Sequence, residues 1–175
     1  MSNSSGSVTS NAARLTVGSN RAPTGQITEP AATATYAGGQ TITYSGTGAD
    51  PEDGELPASA FTWRVDLHHD AHVHPAVPAS SGSRSGSFVV PDEAHTDSNV
   101  FYRIHLTVTD SGGRQHATST DLQPRTSRIG LATVPAGLQL SLDDQPRTTP
   151  YAVTSVVGVK RSIEAISPQT LDGKT

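Results

Sequence analysis

The stretch NVFYRIHLTVTD, residues 99–110, constrains the fold more than any other part of the chain. Val100, Tyr102, Ile104, Leu106 and Val108 fall on one side of an extended backbone. Phe101, Arg103, His105, Thr107 and Thr109 fall on the other. A helix would scatter that period-two pattern around its circumference, so the segment reads as a strand with one buried face. FTWRVDL, residues 61–67, repeats the pattern, with Phe61, Trp63, Val65 and Leu67 set against Thr62, Arg64, Asp66 and His68. Two such strands belong inside antiparallel sheets whose other face meets water. Trp63 lies on the inner set and is assigned to core packing rather than sugar stacking, given the area a buried indole contributes.

Shorter candidates follow the same logic: GQIT (25–28), TITYSG (41–46), SFVV (87–90) and RQHATSTDLQP (114–124), separated by Gly- and Pro-containing turns. Strands at this spacing, with no 3.6-residue apolar period among them, predict an all-β sandwich or barrel. Composition agrees, with 16 Gly, 12 Pro and only 16% charged residues among 175. The net charge of −4 removes the electrostatic reason to expect nucleic acid or an anionic membrane surface as a partner. Zero cysteines exclude a disulfide framework, a thiolate zinc site and a thiol nucleophile.

Three segments are expected. Residues 1–21 carry an alternating run (Ala13, Leu15, Val17) and then GSNRAPTG, which reads as the last strand of an upstream β-module plus a linker. The chain is therefore expected to be an excised piece of a longer protein. Residues 22–125 form the sandwich. Residues 126–175 form a small, truncated β-unit, with a hairpin around Pro135-Ala136-Gly137 that turns Leu138, Leu140 and Leu142 inward, and further strands around 153–159 and 161–166. About 50 residues is marginal for independent folding, so this unit should lean on the sandwich.

The segments Ser45–Gly54 (SGTGADPEDG), Phe61–Asp66 (FTWRVD) and Tyr102–Gly113 (YRIHLTVTDSGG) resemble the PKD-type immunoglobulin-like module of bacterial secreted proteins. A variant found beside glycosidases and sugar-dehydrogenase-like domains, which also carries a His-rich segment, is the nearer likeness. Residues 127–170, with ATVPAGLQLSLDD and TTPYAV, look like a PEGA-type β-unit. The resemblance implies a seven-strand sandwich, an extracellular or cell-surface location and an accessory role beside catalytic domains of the same polypeptide. The chain departs from the pattern after Trp63, where a short turn is replaced by WRVDLHHDAHVHPAVPASSGSRSG, holding four of the seven histidines.

Three constellations are candidates for chemistry. His68, His69, Asp70, His72 and His74 lie on a long His-rich loop, and His68, His72 and His74 are expected to converge with imidazoles spaced for a His-bound transition metal. The loop PDEAHTDSN should reach the same pole and bring His95, Asp92 and Glu93 into range. The plain alternative is a solvated loop whose histidines hydrogen-bond to backbone and to one another. Where imidazole–carboxylate bonds or a bound ion tie the loop, acidification should loosen it. At the opposite pole, Asp50, Glu52, Asp53 and Asp110 could hold a calcium ion, or Asp-Pro and Asp-Gly could simply fix the turn. Arg64, Asp66, Arg103 and His105 face outward on neighbouring strands. With exposed Tyr36 or Phe101 they form a candidate ligand-binding surface, the alternative being a solvated sheet face.

Enzyme signatures are missing: GSRSG has Arg at its centre, and GTGADPEDG lacks a phosphate-loop lysine. The expected function is a non-catalytic module that positions a neighbouring carbohydrate-active domain. The alternative is a dedicated carbohydrate-binding module that uses the His-rich face to hold polysaccharide, and a metal-dependent enzyme comes third.

Overall fold

The computed structural model describes residues 2–3, 6–7, 18–93 and 96–173. Strands β1 (Ser2–Asn3) and β2 (Gly6–Ser7) form a short antiparallel ladder. The alternating run at Ala13, Leu15 and Val17 lies outside the described residues.

The sandwich is built from β3 (Thr24–Glu29), β4 (Thr35–Tyr36), β5 (Thr41–Asp50), β6 (Gly54–Glu55), β7 (Phe61–His69), β8 (His72–Ser81), β9 (Ser85–Val89), β10 (Val100–Thr109) and β11 (Gln115–Pro124). One sheet runs β4-β11-β10-β7-β8, and the other has β5 at its centre, paired with β3, β6 and β9. Inward residues of both sheets make one core, in which Phe61, Val65, Ile104, Leu106 and Val108 are wholly buried. The strict alternation of β10 survives intact, buried at Val100, Tyr102, Ile104, Leu106 and Val108. Trp63 takes the core position assigned to it, 4.9 Å from the Tyr44 ring, and its indole N–H donates to the Ser83 carbonyl. The all-β sandwich expectation therefore holds.

The His-rich segment does not form a loop. β7 runs on to His69, the chain reverses at Asp70-Ala71, and β8 returns along it as an edge strand. Asp70 supports the reversal in the left-handed region, φ 48°, which Asp tolerates better than most residues. Pro75 and Pro78 fit this position because an edge strand accommodates proline where no ladder donor is needed. Two register shifts, between Trp63 and Asp66, absorb the mismatch.

The last unit contains β12 (Thr126–Leu131), β13 (Gln139–Leu142), β14 (Gln145–Thr148), β15 (Tyr151–Val156) and β16 (Ile163–Ala165). β12 pairs with β15, and β13 lies between β14 and β16. The hairpin expected around Pro135-Ala136-Gly137 is not formed, since the runs on either side of it belong to different sheets. The actual two-residue turn is Asp143-Asp144, φ 49° and 62°, joining β13 to β14.

A single residue, Arg125, separates β11 from β12, and its backbone is used on both sides. Its N–H donates to Tyr36 and its carbonyl accepts from Val157, at 2.7 and 2.8 Å. Val156 is 4% exposed and belongs to the sandwich core, with Val159 packed beside it against Tyr36, Leu67, Val90 and Tyr102. Gly38 and Gly158 meet backbone to backbone: a Cβ on Gly38 would lie 2.7 Å from Gly158 carbonyl atoms. The small unit thus leans on the sandwich, as its size requires.

Candidate functional site

Strand alternation decides which histidines meet. Across the hairpin His69 pairs with His72, Leu67 with His74, and His68 with Val73. Residues two apart share a face, so His69, His72 and His74 stand together while His68 points to the opposite side of the sheet. The His69 and His74 rings are nearly parallel, with centroids 5.0 Å apart and Nε2 atoms 2.9 Å apart. His72 lies 5.4 Å from His69 and 6.5 Å from His74 by centroid. The trio expected from sequence, His68 with His72 and His74, is therefore corrected to His69 with His72 and His74. Treating the segment as a loop hid the parity. Two histidines in succession followed by Asp-Ala and then His-Val-His carry the hairpin pattern that would have revealed it.

The loop entering β10 does reach this pole, since Asn99 Nδ2 donates to Asp70 Oδ1 at 2.8 Å and holds the turn. Asp92 and Glu93 are directed elsewhere, to Lys160 Nζ at 3.0 and 3.2 Å, an arrangement that holds the ammonium pKa above its usual range. His95 lies outside the described residues. Among the described residues, no three His, Asp or Glu side chains have their donor atoms gathered around a common point as they stand.

At the opposite pole the acidic residues divide into two kinds. Glu52 is committed to Arg21, whose guanidinium and backbone N–H donate to it at 2.8 and 3.2 Å and hold its carboxyl below the usual range. Asp53 accepts from the Ser111 backbone N–H and hydroxyl, both at 2.8 Å, and is likewise depressed by those bonds. That pair ties the turn after β5 to the turn after β10, confirming that the two loops share a pole. Asp50 and Asp110 are different. Each is buried, 5% and 6% exposed, and each uses Oδ1 to accept local backbone N–H groups: Glu52 and Asp53 for the first, Arg114 for the second. Among the described residues, each leaves its Oδ2 buried and without a hydrogen-bond partner. Turn chemistry therefore accounts for half of these two carboxylates, and the two remaining oxygens have the hard-donor character that suits calcium.

On the outer face of the larger sheet, Asp66 is the hub. It is 8% exposed, and its Oδ2 lies 3.0 Å from both Arg64 Nη2 and His105 Nε2. The ion-pair geometry would by itself raise the His105 pKa. Burial first, and then the Arg64 charge, outweigh Asp66 and hold it below the usual imidazole range. Arg103 instead makes a two-point pair with Asp121, at 2.7 and 2.8 Å, which lowers the Asp121 carboxyl pKa. Sequence reasoning missed Asp121, although its place opposite Arg103 follows once the β10–β11 register is set.

The aromatic half of that surface fails. Tyr36 is 2% exposed and packs edge-on to Tyr102 at 5.0 Å, so its nomination as an exposed ligand contact is wrong. Tyr36 forms part of β4, whose parallel pairing with β11 turns the ring inward. Phe101 is half-buried, stacked on His68 at 4.7 Å and 11°, with the Arg103 guanidinium 5.4 Å from its centroid. Its face is occupied by its neighbours.

Compared with family models, with curated proteins and with solved structures, the chain gives no significant match to any.

Proposed function

We propose that the chain is a non-catalytic accessory segment of a secreted multidomain protein, in which a PKD-type sandwich and the small β-unit act together as a stiff spacer beside a carbohydrate-active domain. The observation that carries this reading is the junction. Arg125 is the whole connection, and both of its backbone polar groups are bonded across it. Further backbone bonds run from Gly38 to Val157, Val156 to Thr96 and Lys160 to Asp92, at 2.8, 3.2 and 2.7 Å. A linker built for independent motion would be longer, and its backbone would face water. A module whose task is to fix distance and orientation needs the opposite.

The carbohydrate-binding alternative is less favoured, because sugar recognition uses open aromatic faces. Tyr36 is buried and Phe101 is covered by His68. The spacer reading is tested by backbone amide relaxation on the full chain, together with affinity electrophoresis against a panel of glycans. A single rotational correlation time shared by residues 24–124 and 126–165, with no retardation on any glycan, is expected. Separate tumbling of the two units would remove the spacer reading, and retardation would replace it with glycan binding.

A further inference from the structure

We propose that the tip of the β7–β8 hairpin is a binding site for a borderline divalent transition metal of the zinc class, held by His69, His72 and His74. The proposal rests on hairpin geometry and is independent of the spacer reading.

Imidazole rings bound to one tetrahedral zinc at Zn–N of about 2.0–2.1 Å stand with their centroids roughly 5 Å apart and their donor nitrogens roughly 3.3 Å apart. The three ring separations here are 5.0, 5.4 and 6.5 Å, and the His69 and His74 Nε2 atoms lie 2.9 Å apart. Two of the three rings therefore already stand at ligand spacing. Their contact is an imidazole–imidazole hydrogen bond, which requires one Nε2 to carry hydrogen and the other to accept it. When the ring that carries hydrogen on Nε2 exchanges it through solvent for the Nδ1–H tautomer, both Nε2 lone pairs can bind one cation placed between them. His72 is the ring that must move, and it is exposed at the hairpin tip, where side-chain rotation costs little.

The surroundings fit this assignment. Asp70 Oδ2 lies 3.9 Å from His69 Nδ1, longer than a hydrogen bond but on the ring nitrogen away from His74, the side from which a carboxylate orients a metal-bound imidazole once it closes in. Asn99 in turn fixes Asp70. The hairpin register places all three imidazoles on one face without any long-range docking, and the His69 and His74 donors are spaced before the metal arrives. Three neutral nitrogen donors with one or more positions left to water suit zinc, nickel or copper rather than calcium or magnesium.

The test is isothermal titration of the tag-free full chain with zinc chloride, followed by ring-signal NMR of the histidines. Saturable binding of one equivalent is expected, with the His69, His72 and His74 ring signals shifting and that of His68 unmoved. His69→Ala, His72→Ala and His74→Ala should each weaken binding at least tenfold, while His68→Ala leaves it within about twofold. His74→Gln, which keeps a polar side chain on the strand, should weaken binding as His74→Ala does, while the metal-free unfolding midpoint stays at the wild-type value. Absence of saturable binding at millimolar zinc overturns the proposal. So does full affinity in His72→Ala, or an equal loss in His68→Ala.

Discussion

Replacing Gly38 by alanine isolates the contact that locks the two units together. Gly38 is not in the left-handed region, so the new methyl brings no conformational penalty of its own, and only space is at issue. That space is already taken: the Cβ would stand 2.7 Å from the Gly158 carbonyl carbon and oxygen and 2.9 Å from the Val159 nitrogen. All three are backbone atoms, so relief requires movement of the strand-to-turn segment that carries Val156 and Val159. Overpacking of this kind costs about 1–3 kcal/mol. Loss of freedom in the unfolded chain returns ~0.4–1 kcal/mol. The net expectation is a destabilisation of roughly 0.5–2 kcal/mol. Urea unfolding followed through Trp63, the single tryptophan, measures it, and amide exchange at Gly38 and Lys160 reports on the junction bonds themselves. Both amides should exchange faster in the variant. Gly130, with no atom of the described residues within 4 Å of its Cβ position, is the control and should tolerate alanine without loss. An unchanged midpoint with both amides still protected in Gly38→Ala would refute the claim that the close approach holds the units in register.

Calcium should raise the unfolding midpoint of the wild-type chain, because the buried Oδ2 atoms of Asp50 and Asp110 lack partners among the described residues. The gain is about 2.7 kcal/mol at a hundredfold excess over Kd, and Asp110→Asn should abolish it. A melting curve insensitive to millimolar calcium counts against that assignment. His105 supplies the pH dependence. Its pKa is lowered in the folded chain, so on acidification the unfolded state takes up the proton first. The stability it preserves is complete above the unfolded value of about 6.5 and falls as pH drops through the lower folded value. His105→Gln should flatten that slope in a series of urea titrations, and an identical slope would assign it to another group.

What sequence could show was set by range. Alternation is a local property, so the inner faces of β7 and β10, and Trp63 among them, are legible without coordinates. Pole-sharing also came through, because the order of strands in a sandwich brings the turn after β5 to the turn after β10, where Asp53 meets Ser111. The failures at the hairpin, at Tyr36 and at the second turn lie where a register had to be known. His68 and His69 differ by one residue, and whether that residue faces the cluster depends on where the hairpin turns. Tyr36 sits in a two-residue strand too short to show a pattern, and only pairing with β11 decides that it is buried. Likewise the Asp143-Asp144 turn outcompeted the more conspicuous Pro135-Ala136-Gly137, because both aspartates adopt the left-handed conformation that a two-residue hairpin requires.

The closure of the sandwich by Val156 and Val159 has a consequence for how the protein is made. Synthesis delivers the chain from its N-terminus, so every strand of the sandwich has emerged by Pro124, more than thirty residues before Val156 and Val159. Until they arrive, the end of the core formed by Tyr36, Leu67, Val90 and Tyr102 lies open to solvent and to other nascent chains. The sandwich can therefore assemble early, but it acquires its sealed interior only when the unit that follows it has been translated.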